Sequence, residues 1–418
     1  MFSKLPPEVS RTLAGIPRII DEIAPVPARF RKDLSKNIRD LSELLTSGRQ
    51  SLSGKYLGSP AHFSAYLRYF LPWNLFRLCK LFSGGGGAQS GGLFAEAAPF
   101  LFADGAGSPD APIVITDLGS GPLTLPVALW ISMPALRDKN IEFRCFDINR
   151  HILKTGEQLF ERVAGASTKT GAGRGNRGQW KIKTVASSLT EARAEKKSTL
   201  VTAVNVYNEL YWKLNAADTD ALAAFVDGEA ARLASFCGAN GAVLIVEPGI
   251  PRSGTFIAHI RNSFIERGFS IDAPCTHHAD CPMETSKVQR HSAKWCHFTF
   301  SADDAPATLR NLSRTVRLPK EDGVLSFLLA HRGEPAPSRT TAPAVPVRIT
   351  SGAFPLPDMR YARYGCCEKG LVLLAGTREE TGPRQSGSTV LVPLTGTEPR
   401  DKKSGALIAR IPTQQPRR

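Results

Sequence analysis

Thr116-Asp117-Leu118-Gly119-Ser120-Gly121-Pro122 is the stretch of sequence that decides the fold. It belongs to the end of the apolar run Ile113-Val-Ile-Thr-Asp117, which is typical of a buried strand, and it precedes a helical pattern at 125–133. Glycines between a strand and a helix let bare backbone approach a ligand beside the free N–H groups of the helix N-terminus. The stretch therefore predicts the first strand–loop–helix unit of a nucleotide-binding α/β domain.

Strand and helix patterns alternate beyond this stretch. Apolar runs at 141–147, 200–206 and 242–247 predict further strands, and 151–163 and 218–236 predict helices between them. Such alternation implies a mostly parallel sheet that is covered on both faces.

Two residues narrow the choice of nucleotide. Asp147 ends the second predicted strand, where an acid can accept hydrogen bonds from two ribose hydroxyls. Thr124 stands where the dinucleotide fingerprint requires a third Gly or Ala, which disfavours an NAD site.

The sequence Asp117-Leu-Gly-Ser-Gly121 resembles the first motif of S-adenosylmethionine-dependent methyltransferases. This resemblance implies a Rossmann-like methyltransferase fold and an adenosyl cofactor. It places Asp117, Gly119 and Gly121 at the cofactor and Asp147 on its ribose.

A second polar segment, Tyr207-Asn208-Glu209-Leu210, follows a predicted strand at the place where such folds put residues beside the methyl group or the adenine. Asn208 and Glu209 are therefore the candidates for catalysis, and Asn208 is also a candidate for cofactor binding. The alternative is that Asn208 caps the N-terminus of a helix.

Changes in composition predict six regions. Helical patterns dominate the start of the chain, and short apolar runs separated by Gly and Pro towards its end indicate a smaller β-rich unit. A Gly-rich run at 164–178 predicts a loop. The regions are a helical N-terminal arm at 1–83, a Gly-rich linker at 84–110, a methyltransferase-like Rossmann domain at 111–270, a cysteine segment at 271–300, a β-rich C-terminal domain at 301–378, and a disordered basic tail at 379–418.

The chain is strongly basic. Its 418 residues include 53 Lys and Arg against 38 Asp and Glu, which gives a formal net charge of +15 and a pI near 9.6. This charge favours polyphosphate partners, among which nucleic acid leads. A generically basic surface is the alternative.

Membrane and secretory signals are weak. The most apolar candidate for a membrane span, at 70–82, is interrupted by Pro72, Asn74, Arg77 and Lys80, and it falls short of the ~20 apolar residues that a span requires. The start of the chain has no apolar signal core. We therefore expect a cytoplasmic protein that has no membrane partner and is monomeric when free.

Three cysteines lie close together in the chain, in the run Pro274-Cys275-Thr-His-His-Ala-Asp-Cys281-Pro282 and in Trp295-Cys296-His297. Clustered thiols in a chain without a secretory signal indicate a metal site rather than disulfides. Five and fourteen residues separate the cysteines, which suits an iron–sulfur cluster better than a zinc ribbon. A Cys3His zinc site remains the alternative, with His277, His278, His291 and His297 nearby.

A wider resemblance rests on Glu247-Pro-Gly-Ile-Pro251, on the Pro-Cys, Cys-Pro and Trp-Cys-His-Phe signatures, and on Pro319-Lys-Glu-Asp-Gly-Val-Leu-Ser-Phe-Leu. The sequence resembles the methyltransferase-like family of the small ribosomal subunit, a mitochondrial small-subunit assembly factor and its bacterial relatives, over about 59–376. The family implies S-adenosylmethionine binding, association with small-subunit rRNA in ribosome assembly or translation, and a 4Fe-4S cluster. It leaves open whether any methyl group is transferred. The alternative is an active methyltransferase that acts on rRNA or on a ribosomal protein.

The same resemblance implies four cluster ligands. The first three are Cys275, Cys281 and Cys296. The fourth family cysteine precedes a short turn that ends in Gly, which here is Cys366-Cys367-Glu-Lys-Gly370. Cys366 is the predicted ligand, and Cys367 is the alternative.

Overall fold

The strands in the part of the chain that the structure describes form two sheets, one of eight strands and one of six. The computed structural model describes residues 2–26, 31–46, 56–83, 92–103, 106–169, 179–211, 214, 218–284, 294–333, 344–382 and 385–412. No helix in these ranges is long and apolar enough to cross a membrane.

The larger sheet carries the nucleotide-binding pattern. Its order is β3-β2-β1-β4-β5-β8-β6, with β7 paired to β8, and the strands from β1 to β5 are parallel. Strand β8 runs antiparallel to β5, β6 and β7. The predicted Rossmann-like α/β fold is confirmed. The strands are β1 Ile113–Leu118, β2 Ile141–Asp147, β3 Trp180–Ala186, β4 Ser198–Val204, β5 Cys237–Pro248, β6 Phe269–Ala273, β7 Phe298–Ser301 and β8 Asp322–Arg332.

Helices cover both faces of this sheet. The N-terminal helices α1 to α4 share one hydrophobic core with this sheet. Helix α6 is buried along its whole length, because α4 packs on the side that faces away from the sheet. The helices are α1 Pro7–Ile23, α2 Leu34–Leu44, α3 Pro60–Ala65, α4 Leu71–Phe82, α5 Gly92–Ala97, α6 Thr124–Ser132, α7 Arg150–Lys169, α8 Tyr207–Leu210, α9 Thr219–Phe236, α10 Pro251–Glu266, α11 Ala307–Thr315 and α12 Arg378–Thr381.

The smaller sheet has the order β13-β9-β11-β12-β14, with β10 paired to β11. Its inward-facing apolar side chains form a core of their own. The strands are β9 Ala344–Ile349, β10 Phe354–Pro355, β11 Tyr361–Cys367, β12 Gly370–Gly376, β13 Thr389–Pro393 and β14 Leu407–Arg410.

The C-terminal regions differ from the prediction in two places. Strand β8 lies within the predicted C-terminal domain, yet it completes the larger sheet between β5 and β6. The predicted disordered tail contains β13 and β14, which pair with β9 and β12 through backbone hydrogen bonds that basic composition does not reveal.

Each of the two Gly-rich runs, at 84–92 and 164–178, lies partly outside the described residues, and the described part of the second differs from the prediction. Residues 164–169 continue helix α7 instead of starting a loop, and 170–178 lie outside the described residues. In the predicted linker, 84–91 lie outside the described residues, whereas α5 occupies the positions that follow.

Candidate functional site

A cavity of about 420 Å³ opens at the carboxyl end of the larger sheet. Ligands of open α/β sheets bind at this edge, where the strand order reverses between β1 and β4. Its volume lies in the range of small-molecule sites. Loops after four parallel strands line it, and they supply Gly119 to Gly121, Asp147 to Asn149, Ser187 to Thr190, and Asn205 with Val206.

The loop after β1 bends through two glycines in the left-handed region. Gly119 has φ +70° and Gly121 has φ +51°. A Cβ at Gly119 would overlap Cγ2 of Val206, whereas a Cβ at Gly121 would meet only the Tyr66 hydroxyl, at 3.9 Å. Gly119 is therefore required both by its conformation and by close packing of two cavity loops.

Asp147 joins the two loops that the sequence assigned to the cofactor. Its Oδ2 accepts a hydrogen bond from the N–H of Gly121 at 2.9 Å, and its Oδ1 accepts one from the N–H of Asn149 at 2.8 Å. Each carboxylate oxygen retains acceptor capacity for a hydroxyl group. Burial raises the pKa of Asp147, and the two N–H donors oppose that change.

Asp117 lies behind the cavity wall. It is almost fully buried, and its Oδ1 accepts a hydrogen bond from the Thr202 hydroxyl at 2.6 Å. Burial raises the pKa of Asp117 to about 7. The backbone of Asp117 helps to hold the glycine loop, because the Ser120 hydroxyl donates to the Asp117 carbonyl oxygen at 2.8 Å.

Asn208 does not cap helix α8. The carboxylate of Glu247, at the end of β5, instead accepts hydrogen bonds from the N–H groups of Val206 at 3.0 Å, Tyr207 at 2.8 Å and Asn208 at 2.9 Å. No sequence pattern predicted this role for Glu247, although the residue ends a strongly apolar strand and opens the Glu247-Pro-Gly-Ile-Pro251 signature.

Glu209 lines the cavity together with Tyr66, a residue that no sequence pattern indicated. Tyr66 opens a π-helical turn, Tyr66–Phe70, between α3 and α4. Such turns are frequent at functional sites. Burial, together with the charges of Glu209 and Asp147, raises the pKa of Tyr66, so its hydroxyl keeps its proton at neutral pH.

The four predicted ligand cysteines converge between the two sheets. Cys275 follows β6, Cys281 lies in the next turn, Cys296 precedes β7, and Cys366 lies on β11. Burial raises the pKa of the Cys296 thiol well above its usual value, and the sulfurs of the other three cysteines raise it further. Burial raises the pKa of Cys281 to about 11, with a smaller contribution from Cys275.

The structure separates Cys366 from Cys367. Successive side chains of a strand point to opposite faces. Cys366 points to the shared core that contains Cys281 and Cys296, whereas Cys367 points into the core of the smaller sheet. Burial raises the pKa of the Cys366 thiol well above its usual value, and the nearby sulfurs of Cys275 and Cys281 raise it further.

Two arginines, neither of which a sequence pattern indicated, hold the cysteine loop. Arg261 on α10 is buried and donates from Nε to the Cys275 sulfur at 3.3 Å, and from Nη2 to the carbonyl oxygens of His277 and Ala279 at 2.9 and 2.8 Å. Arg348 on β9 donates from Nε to the Pro274 carbonyl oxygen at 2.7 Å. The loop is thus fastened to helix α10, which packs against the larger sheet, and to strand β9 of the smaller sheet, and each contact brings an arginine to it.

The nearby histidines have varied surroundings. His278 accepts the N–H of Ile271 at Nε2, and Nδ1 of His297 lies 3.0 Å from the carbonyl oxygen of Trp295. His277 is buried, and burial lowers its pKa to about 4. His291 lies outside the described residues. Among the residues that are described, no group of three or more His, Cys, Asp or Glu side chains is arranged to hold a single metal ion.

A family model described as mitochondrial small ribosomal subunit Rsm22 matches residues 111–353, which is more than half of the chain. The chain belongs to the Rsm22 family. The match begins just before β1, ends before β10, and includes the cavity loops and three of the four converging cysteines. A comparison with curated proteins found no match.

Solved structures give weak similarity. A methyltransferase from Geobacter sulfurreducens, in complex with S-adenosyl-L-homocysteine, has a TM-score of 0.29 and 12% identity over 53% of this chain and 85% of its own. A methyltransferase from Thiobacillus denitrificans, also in complex with S-adenosyl-L-homocysteine, has a TM-score of 0.30 and 13% identity over 61% of this chain and 97% of its own. At these scores, the fold assignment rests on the strand order and on the Rsm22 match.

Proposed function

We propose that this Rsm22-family protein acts on the small ribosomal subunit as a cytoplasmic, RNA-binding protein that holds S-adenosylmethionine and a 4Fe-4S cluster. The observation that carries the proposal is the convergence of Cys275, Cys281, Cys296 and Cys366 from parts of the chain that belong to different sheets. Family membership supports the ribosomal context, and the net charge of +15 supports contact with RNA.

The four cysteines suit an iron–sulfur cluster in their chemistry. Such clusters are held by cysteine thiolates, which carry negative charge that needs compensation in a buried site. Arg261 lies against Cys275, and Arg348 is close enough to Cys366 for their charges to interact. When bound, the cluster would supply a covalent connection between the loop after β6 and strand β11.

The cavity loops suit S-adenosylmethionine. Gly119 and Gly121 bring bare backbone to the cavity, and Asp147 offers both carboxylate oxygens towards a ribose. The cofactor supplies a methyl group when it is bound. The residues of this chain bind and orient it, and Glu247 keeps the loop after β4 in position through three hydrogen bonds.

Metal analysis and ribosome binding test the proposal together. We expect about four irons and four sulfides per chain after anaerobic purification, and loss of both in Cys281→Ser. Cys367→Ser is the matched control, because its side chain points into the other core. One zinc and no sulfide in the wild-type protein would contradict the cluster.

The Cys281→Ser protein should also lose co-sedimentation with the small subunit, because the cluster connects the two sheets whose joint surface the RNA would contact. Wild-type binding should weaken steeply with salt, since phosphate contacts release counterions. Ribosome association that persists in Cys281→Ser would separate RNA binding from the cluster and contradict this part of the proposal.

Methyl transfer to rRNA or to a ribosomal protein is the second candidate function. Glu209 favours it, because its side chain lines the cofactor cavity beside the protonated hydroxyl of Tyr66. A methylated product should appear with wild-type protein and disappear with Asp147→Asn. Binding of S-adenosylhomocysteine without any methylated product would leave a cofactor-binding protein without turnover.

A further inference from the structure

Four basic residues lie on helix α11 and on the turn that follows it. Arg310 and Arg314 are one helical turn apart on the outward face of α11, whose opposite face is buried. Arg317 follows the end of the helix, and Lys320 belongs to the signature that begins at Pro319. We call these four residues the α11 basic segment.

The α11 basic segment lacks acidic partners. No carboxylate pairs with any of its four cations within the described part of the chain. Its helical arginines contact neutral acceptors, since Arg310 donates from Nε to the Ala305 carbonyl oxygen at 3.2 Å and Arg314 donates from Nη1 to Oδ1 of Asn311 at 3.0 Å. A guanidinium group has five N–H donors, so most of them remain for an external anion.

Arg317 occupies a position that glycine usually takes. It ends α11 in a Schellman motif, in which the N–H of Leu318 donates to the Ser313 carbonyl oxygen at 2.9 Å and the N–H of Arg317 donates to the Arg314 carbonyl oxygen at 3.0 Å. Its φ is +59°, in the left-handed region, where a Cβ costs energy. Retained strain of this kind indicates a use for the exposed side chain.

Lys320 brings the basic segment close to the cofactor cavity. Its Nζ lies 5.7 Å from the centre of the Trp73 ring. Desolvation lowers the pKa of Lys320 to about 8, and the nearby positive charge of Arg77 lowers it further. Arg77 also interacts electrostatically with Tyr66, which lines the cavity. An anion bound at Lys320 would offset the repulsion between the two cations on this side of the cavity.

We propose that the α11 basic segment binds the phosphate backbone of RNA beside the Tyr66 wall of the cofactor cavity. The inference rests on the proposed RNA-binding function and names the surface that carries it. Guanidinium groups match phosphate geometry and bind two of its oxygens at once. The family match covers the whole segment and describes a protein of the small ribosomal subunit, which favours RNA over an acidic protein as the polyanion.

Fluorescence anisotropy tests this surface, with the full-length, anaerobically purified protein and a labelled single-stranded RNA of about 20 nucleotides of mixed sequence. Binding to a single strand falls with salt by a slope of about 0.7 per phosphate contact, so one lost contact weakens binding about fivefold at about 0.1 M KCl. The triple variant Arg310→Gln, Arg314→Gln, Lys320→Gln should therefore bind on the order of a hundredfold more weakly, and its salt slope should fall by about two.

A second triple variant is the matched control. Arg18→Gln, Arg162→Gln and Lys183→Gln remove the same charge from exposed cations that pair with acids, namely Glu22 and Glu195. This control should keep the wild-type affinity and salt slope. An equal loss in the two triple variants would show that only net charge matters and would overturn the inference.

Arg317→Gly separates binding from folding. Glycine relieves the left-handed strain, so the midpoint of urea unfolding should not fall, whereas RNA affinity should fall about fivefold at about 0.1 M KCl. Wild-type affinity in both this variant and the triple variant of the basic segment would overturn the assignment of the surface.

Two results bear on the partner itself. Poly-L-glutamate that displaced the labelled RNA as strongly, per charge, as unlabelled RNA would indicate an acidic protein and overturn the choice of RNA. A wild-type protein that did not bind the RNA even at about 50 mM KCl, where phosphate contacts are strong, would overturn the proposed RNA-binding function rather than the surface alone.

Discussion

Replacing Gly119 with Ala should destabilise the protein by two separable effects. The residue adopts φ +70°, which costs a residue with a Cβ about 1–2 kcal/mol. The new Cβ would also overlap Cγ2 of Val206, and it would lie 3.4 Å from Cγ1. Overpacking of this kind costs about 1–3 kcal/mol. We therefore expect the free energy of unfolding to fall by about 2–5 kcal/mol.

Val206 cannot easily move away from the new methyl group. Its N–H donates to Glu247 at 3.0 Å, and the N–H of the preceding residue, Asn205, donates to the carbonyl oxygen of Val246 at 2.8 Å. A β-branched side chain also has few rotamers to choose from. The overlap must then be relieved by a shift of the glycine loop, which would distort the cavity.

Gly121→Ala is the matched control, because Gly121 has φ +51° and its Cβ would meet no atom closer than the Tyr66 hydroxyl at 3.9 Å. The free energy of unfolding should fall by only about 1–2 kcal/mol in this variant. Urea unfolding of both variants, without ligand, measures the difference. When Val206→Ala is added to the Gly119→Ala protein, the free energy of unfolding should recover by about 1–3 kcal/mol, whereas the same substitution should give no recovery in the Gly121→Ala protein. A coupling energy near zero between positions 119 and 206 would refute the steric argument.

Three further predictions follow from buried polar groups. Glu247→Gln keeps the shape of the side chain but turns an amide donor towards at least one of the three N–H groups that Glu247 accepts. The free energy of unfolding, measured in urea, should therefore fall by about 2–3 kcal/mol. An unchanged value would show that these hydrogen bonds add no stability. Burial raises the pKa of Asp117 from 3.8 to about 7, so the folded protein holds a proton that the unfolded chain releases, and stability should decline as pH rises from about 4 to about 7. Asp117→Asn should flatten that decline, and a pH profile identical to the wild type would contradict the assignment. Arg348→Met should lower the iron content of the purified protein, because Arg348 donates a hydrogen bond to the Pro274 carbonyl oxygen and so holds the cysteine loop. Arg360→Met, at an exposed position, is the control and should leave the iron content unchanged. Equal iron content in the two variants would exclude a positioning role for Arg348.

Much of the fold could be predicted from local patterns. The strands at 113–118 and 141–147 and helix α6 at 124–132 lie within one residue of the predicted ranges at each end, because apolar periodicity indicates which side chains are buried. The interruption at 164–178 was assigned from its glycines, yet helix α7 continues to Lys169. Helix propensity over a few residues is a weak signal, and packing of the preceding turns overrides it.

The candidate site was only partly accessible in this way. Gly119, Gly121 and Asp147 line the cavity as neighbours in a recognisable strand–loop–helix pattern. Tyr66 and Glu247 act on the same loops from distant parts of the chain, and no local pattern indicates that they meet there.

The amino-acid sequence by itself determined the order of strands and helices, the glycine loop with its acidic partner, and the residue types of a thiolate site, because backbone conformation and side-chain chemistry are local properties. Only the tertiary structure decided which cysteine joins the other three, since the alternation of strand β11 directs Cys366 to the shared core and Cys367 away from it. Packing likewise decided that Arg261 and Arg348 hold the cysteine loop. These contacts join residues far apart in the chain, and they depend on the register of strands and the packing of helices rather than on any neighbouring residue.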